Sequence, residues 1–300
     1  MKNKRLIAVL LVFIFVAGVA ISSVFVFRVS EISAMFMQKP KLLTFGAIDS
    51  EKQEIENTAL KKYSDEASEI ARGKNILFGI NRSKIIESIQ ANNPLVRVTN
   101  IEAKFPNKLE IRVRERIPMY SIEYGEHTAV MDFEMQIIST DLSVANEYVY
   151  NLIDLNSQFD LSEDFIGFEI GDNLRMYTEC TERVDTLILM AKLFFNQDNF
   201  VDAENQKFDE PQLCHLIQSI DFTASEADIL PGSMVIKLTD PENNDNSIRI
   251  ELVDYQTEFN EKLRKAWYCL QSDTDYQRGF IISEYSDEHG KVIAQWLPGV

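Results

Sequence analysis

The N-terminal part of the chain divides sharply by polarity. Leu6 to Phe27 run for 22 positions without a charged side chain. As a helix that run reaches roughly 33 Å, enough to cross a hydrocarbon core of about 30 Å. Lys2, Lys4 and Arg5 precede it, while Arg28 follows and is soon met by Glu31. The basic excess before the run holds the N-terminus in the cytoplasm and sends the chain from about residue 29 outside. A cleaved secretory signal is the alternative, with Gly18-Val19-Ala20 as a small-residue cleavage site. Against it, the apolar sequence outlasts a signal core of about 7–15 residues. The sequence therefore predicts a cytoplasmic tail over 1–5 and a transmembrane helix over 6–27.

Beyond the run the periodicity changes. Ser50-Glu51-Lys52-Gln53 has the spacing of a capping box. Behind it Ile55, Ala59, Tyr63, Ala67, Ile70 and Ala71 fall on one helical face, and Gly73 offers a left-handed stop. Asn81 is the N-cap of a second helix, striped by Ile85, Ile86 and Ile89 and closed by Asn93-Pro94. Leu95 to Phe105 reads as a strand. It turns through Pro106-Asn107 into another, where Leu109, Ile111 and Val113 alternate with Glu110, Arg112 and Arg114. Helix, helix, strand, strand predicts a compact α+β unit with its helices on one sheet face. Pro118 ends it, because proline cannot donate into a continuing ladder.

The first outer domain thus spans 28–117 and a second spans 118–300. In the second, Met119–Tyr124 and Thr128–Ser139 alternate as strands around Gly125-Glu126. Val184, Leu187, Ile188, Ala191, Phe194 and Phe195 predict a helix, and Met234–Leu238 with Ile248–Val253 predict a hairpin. A further helix carries Tyr255, Phe259, Leu263, Ala266, Trp267 and Leu270. Strands at Phe280–Tyr285 and Val292–Trp296 close the chain. The predicted fold class is α+β: one transmembrane helix, a small mixed domain, then a larger β-rich domain with two or more helices.

Charge narrows the function. The chain has 30 basic and 47 acidic residues, a net charge of −17. The part from residue 29 onward keeps 26 basic and 47 acidic groups, or −21. A sequence pI near 4.7 argues against nucleic acid as a main partner. Arg82 to Pro118 is nonetheless basic, whereas the chain beyond about residue 150 is strongly acidic, so the two domains present different surfaces.

Candidate chemistry is sparse. His127, His215 and His289 are scattered, and the neighbours Cys214 and His215 cannot face one ion together. The three cysteines form no C-x-x-C pair; a Cys180–Cys214 disulfide is an option outside the cell and leaves Cys269 over. The acidic run from Asp240 to Glu251 suggests a calcium loop, but Asp245 stands where the sharp turn needs glycine and Pro241 sits at the second position. It reads as a polar hairpin tip. No G-x-S-x-G, phosphate-cradling glycine loop or G-x-G-x-x-G occurs. No catalytic residue, cofactor site or metal ligand is assigned. One acid is oddly placed: Glu115 shares parity with Leu109, Ile111 and Val113, which would turn a carboxylate toward the core. Either the strand has reached a solvated rim, or Glu115 pairs with Arg116 or with an arginine of the neighbouring strand.

Several short runs, taken in order, carry a resemblance. They are Gly73-Lys-Asn-Ile-Leu, Ile85-Ile-Glu-Ser-Ile, Asn93-Pro-Leu-Val, Ala103-Lys-Phe-Pro-Asn-Lys-Leu-Glu-Ile and Glu115-Arg-Ile-Pro. Together they resemble the POTRA domain of the FtsQ/DivIB bacterial division proteins. The closing Ile281-Ile-Ser-Glu-Tyr-Ser and Lys291-Val-Ile-Ala-Gln-Trp are similar to that family's final strands. The family's I-x-V-x-G-N strand after the anchor has no clear counterpart. Val29-Ser-Glu-Ile-Ser and Leu42-Leu-Thr-Phe-Gly are rival first strands.

The resemblance implies a non-enzymatic, single-pass scaffold at the division septum that binds the coiled-coil proteins FtsB/DivIC and FtsL outside the membrane. In that family the last strands offer an edge to which the partner adds a strand. Carried over by position, the contact residues are Glu284, Tyr285, Ser286, Val292 and Trp296. The alternative for Tyr285 and Trp296 is that they cover the domain's own core. Other classes left open are an anchored envelope sensor or enzyme and a POTRA-type protein-transport component.

Overall fold

A computed structural model describes residues 26–147, 152–194, 217–223, 232–239, 247–272, 279–286 and 290–298. The chain divides into two compact units, one ending at Arg116 and the other beginning at Ile117. Both mix helix and sheet, so the α+β class holds.

The first unit contains β1 (Glu31–Phe36), α1 (Asp49–Ala71), α2 (Arg82–Asn92), β2 (Val96–Lys104) and β3 (Lys108–Glu115). Its sheet runs β1-β3-β2, with β3 antiparallel to β2 and parallel to β1. Alternation along the strands buries Val96, Val98, Ile101, Leu109, Ile111 and Val113 on one face. Tyr63, Ala67 and Ala71 of α1 and Ile85 and Ile89 of α2 belong to the same core. The Asn81 side chain accepts a hydrogen bond from the Lys84 N–H at 3.0 Å, as an N-cap should.

One expectation needs correction here, and one open choice is decided. The capping box is not formed: α1 begins at Asp49 with Ile48 in the cap position and no side-chain cap. Ser50 therefore lies inside the first turn, where Asp49 and Glu51 supply the negative charge that the helix N-terminus favours. Of the two rival first strands, the chain uses the segment after Val29, while residues 42–46 form a turn.

The second unit contains β4 (Tyr120–Tyr124), β5 (His127–Met131), β6 (Ile137–Ser139), β7 (Ile153–Asp154), α3 (Thr181–Phe194) and β8 (Ile217–Asp221). It continues with β9 (Met234–Thr239), β10 (Ser247–Leu252), α4 (Phe259–Ser272), β11 (Gly279–Ser286) and β12 (Lys291–Pro298). Nine strands form one sheet in the order β12-β11-β10-β9-β8-β7-β4-β5-β6. Ile122, Met131, Ile220, Ile236, Ile250 and Ile281 share a core with Val184, Leu187 and Met190 of α3 and Leu263, Ala266 and Leu270 of α4. The hairpin of β9 and β10 pairs antiparallel as expected.

The strand expected over Thr128–Ser139 is broken in two. Asp132 accepts hydrogen bonds from the N–H groups of Glu134 (2.9 Å) and Gln136 (3.0 Å), and Met135 takes a positive φ of 60°. A carboxylate that caps its own backbone makes a turn where apolar periodicity alone suggests continuity. Tyr255 likewise sits in the turn before α4 rather than on the helix.

The hairpin tip at 240–246, Cys214, His215 and His289 lie outside the described residues. So does the uncharged run except for Val26 and Phe27. Among the described residues, no helix is long and apolar enough to cross a membrane.

Candidate functional site

β12 is the outermost strand of the nine in sheet order. It pairs antiparallel with β11 in a register that sets Tyr285 opposite Val292, Ser283 opposite Ala294 and Ile281 opposite Trp296. Directly opposed residues share a face, and alternation along each strand keeps these six together. The five sequence-predicted residues therefore split. Tyr285, Val292 and Trp296 lie on one face, while Glu284, opposite Ile293, and Ser286, opposite Lys291, have the other parity. Their exposures differ as well. Tyr285 is 47% exposed, Val292 is 1% exposed, and Trp296 is half-buried and packed against the core. Val292 is a floor residue, whereas Tyr285 is open to contact.

An open groove of about 520 Å³ lies between β12 and α4. Val292, Ala294 and Trp296 line it from the strand, and Lys265, Tyr268 and Cys269 line it from the helix. Lys291 and Ile293 complete its rim. Tyr268 is 70% exposed, so the helix presents an aromatic ring to solvent beside the strand edge. Sequence reasoning missed Lys265, Tyr268 and Lys291. The readable signal was Tyr268 itself, an aromatic two positions from both Ala266 and Leu270 of the buried stripe Phe259, Leu263, Ala266 and Leu270.

Buried polar contacts fix the helix against the edge. The Ser283 hydroxyl, fully buried, lies 2.9 Å from the Lys262 carbonyl of α4 and 3.2 Å from the Ile293 carbonyl of β12. One donor thus serves both elements that form the groove. Lys262 is also buried, and its ammonium donates to the Asp254 carbonyl at 2.7 Å. Burial pushes the Lys262 pKa down, while the charges of Asp254, Glu258 and Glu284 push it up.

The other candidates fare differently. The exposed His127 ring packs edge-on against Phe165 at 5.4 Å, a contact between rings rather than a ligand position. Cys180 is a half-buried free thiol. Glu115 is withdrawn from solvent, and backbone donors meet its carboxylate. Its two oxygens accept the N–H groups of Lys41 and Leu43, each at 2.6 Å. Burial raises its pKa, and the backbone bonds from Leu43, Leu42 and Lys41 with the Lys41 charge pull it back. The irregular stretch after β1 is thereby tied to the end of β3.

The layout of two helices over a three-stranded sheet, with this sequence, has a counterpart. Residues 65–116 match the family described as POTRA domain, FtsQ-type. The match begins inside α1 and ends at the last residue of the first unit. The first unit therefore carries an FtsQ-type POTRA domain, and domains of this kind mediate protein–protein interactions rather than catalysis. Comparison of the chain with curated proteins gives no match.

Proposed function

We propose that the chain is a membrane-anchored scaffold of the bacterial division machinery. It binds FtsB/DivIC-like and FtsL-like single-span proteins outside the membrane, at the septum, by strand addition to β12. The observation that carries this reading is the FtsQ-type POTRA domain at 65–116. The second unit supports it, because its sheet ends on a strand with no further described strand beyond it. An edge of that kind offers unpaired N–H and C=O groups to an extended segment. The uncharged run at 6–27 is the anchor, with the N-terminus cytoplasmic.

The groove adds selectivity. From residue 117 onward the chain has 11 basic and 35 acidic residues, yet Lys265 and Lys291 both line the groove. A partner segment that pairs with β12 would place a bulky apolar side chain over Val292 and Ala294 and carboxylates near the two lysines. The division role needs no catalytic group, and none is assigned.

The test is a proline scan of the edge. Full-length chain bearing Ile293→Pro, Ala294→Pro or Gln295→Pro is used to capture small single-span proteins from solubilised host membranes. In an antiparallel edge strand successive N–H groups point alternately inward and outward. Loss of an outward donor should cost about tenfold in partner affinity while the protein stays folded. The neighbouring inward positions should instead unravel the β11–β12 ladder. A scan without this alternation, or capture unaffected at every position, refutes strand addition.

A further inference from the structure

We infer that the end of the first unit where the chain enters it seats on the lipid bilayer, with Leu77, Phe78 and Phe105 inserted among the headgroups. This rests on the reading of 6–27 as a membrane span and goes beyond it, since an anchor alone does not require the folded unit to touch lipid.

The entry point is clamped by two turns. On one side Phe27 and Val29 pair with the turn that follows α1. The Ile76 N–H donates to the Phe27 carbonyl (2.8 Å), the Val29 N–H to the Lys74 carbonyl (2.9 Å), and the Gly73 N–H to the Val29 carbonyl (2.9 Å). On the other side the Ser30 N–H donates to the Asn107 carbonyl at 2.9 Å, and the Asn107 amide donates to the Ser30 hydroxyl at 2.7 Å. Phe27 and Phe105 also meet edge-on at 5.9 Å. The two turns therefore move with residues 26–30 as one body.

Those same turns hold their apolar side chains outward. Phe78 is 89% exposed, Phe105 60% and Leu77 46%. Hydrogen bonds from the Leu77 N–H to the Asn75 side chain (2.9 Å) and from the Gly79 N–H to the Asn75 carbonyl (2.7 Å) fix the first turn. A Cβ at Gly79 would stand 3.0 Å from Asn75 backbone atoms, so the turn is tight as built. Nothing in the unit's core accounts for a phenylalanine held this far out.

Geometry names the occupant. Ile76 is hydrogen-bonded to Phe27, and Phe78 is two residues further on, so its Cα lies within about 14 Å of that of Phe27 at 3.8 Å per residue. A span that ends at Phe27 leaves that residue at the hydrocarbon boundary, beneath a headgroup layer about 5–8 Å thick on each side. Phe78, exposed on that turn, is close enough to reach this layer. The charges fit as well: Arg28, Lys74, Lys104 and Lys108 surround the turns, against Glu31 and Glu102, which pair with Lys108 and Lys104. A basic rim around apolar tips suits a surface of anionic lipid.

The test uses the full chain in vesicles containing phosphatidylglycerol, with Cys180, Cys214 and Cys269 changed to Ser. An environment-sensitive fluorophore is attached at Phe78→Cys, Phe105→Cys, Ile48→Cys or Val16→Cys, and quenching by brominated lipid is compared with quenching by aqueous iodide. Ile48 is the aqueous control, because it opens the 23-residue α1 whose far end meets Val29, roughly 34 Å away along the helix. The proposal expects lipid quenching at 78 and 105 and none at 48, with the signal at 105 lost when Phe78→Glu is added. Lipid quenching at 16 alone, with 78 and 105 open to iodide, overturns the seat and leaves the anchor standing. Absence of lipid quenching at 16 sinks the span reading and the seat with it. Labels at 78 and 105 shielded from both quenchers would show a second copy of the chain on this surface and overturn the lipid assignment.

Discussion

The two units hold their outward apolar side chains by different means. The first, from residue 29 to 116, carries 15 basic and 12 acidic residues and is close to neutral at +3. The second carries 11 and 35, or −24. In the first, Leu77, Phe78 and Phe105 project from tight turns; in the second, Tyr268 and Tyr285 project from a helix and a strand. A turn fixes a side chain at a point and suits a broad surface such as a headgroup layer. A strand edge supplies a row of backbone groups and suits an extended peptide. Each unit also holds a buried polar group, Glu115 at the end of β3 away from Phe105 and Ser283 beside the groove, and the two differ in kind. Glu115 accepts from the backbone of an irregular segment, whereas Ser283 donates to the carbonyls of regular elements.

Removing Glu115 should break this comparison most strongly. Glu115→Ala leaves the partly buried Lys41 and Leu43 N–H groups without their acceptor, at a cost of about 2–3 kcal/mol to the first unit. Hydrogen exchange on the full chain should show lost protection in β1 and β3 and none in β11 or β12. Glu115→Gln keeps one acceptor and should cost less. The pH dependence has a definite sign. Burial holds the carboxyl above its ordinary value, so the stability it contributes is full below an unfolded glutamate's pKa of about 4.3 and declines as pH rises through the raised value. The Gln variant should lack that decline.

Ser283→Ala comes next and acts on the second unit. It removes a hydroxyl that reaches both α4 and β12, at about 1–2 kcal/mol. Protection should fall across the β11–β12 ladder and the adjoining turn of α4, with the first unit unchanged. If the groove depends on this tie, partner capture should weaken with it, although Ser283 has no exposed surface of its own.

What the sequence makes legible follows the range of the interactions. α2 is readable because its cap, Asn81, and its stripe, Ile85 and Ile89, all lie within a dozen residues. The β2–β3 and β11–β12 hairpins are readable because a short turn sets each register. β1 is not, since its pairing with β3 is parallel and brings Glu31 beside Lys108 across two helices. Nothing local encodes such a partner. The same distance hides the fate of Glu115: parity shows that a carboxylate points inward, but its donors lie in a segment without periodicity. The groove was half legible. The family resemblance supplied Tyr285, Val292 and Trp296, whereas Lys265 and Tyr268 enter only once α4 is docked beside the edge.

The smallest expected effect compares one tyrosine from each unit. Tyr63 in α1 is pushed up to about 12, first by burial and then by the charges of Glu115 and Glu66. Tyr177 in the second unit is also raised, by burial and by the hydrogen bond its hydroxyl donates to Asp172 at 2.6 Å. For both, the neutral phenol is the form the folded state prefers. Stability from Tyr63 is therefore full below pH 10, where an unfolded tyrosine stays neutral, and is lost as pH rises toward 12. Tyr63→Phe keeps the edge-on contact with Phe36 at 6.1 Å. It should leave stability near pH 8 almost unchanged while removing this component of the alkaline decline in the first unit. Asp172→Asn should lower the Tyr177 titration toward the ordinary range and leave that of Tyr63 where it is. Glu115→Gln should do the reverse, lowering Tyr63 alone. Ultraviolet titration of the tyrosinates in the three variants separates the two environments. Equal shifts in both tyrosines from either acid would mean that the units share one electrostatic surround rather than two.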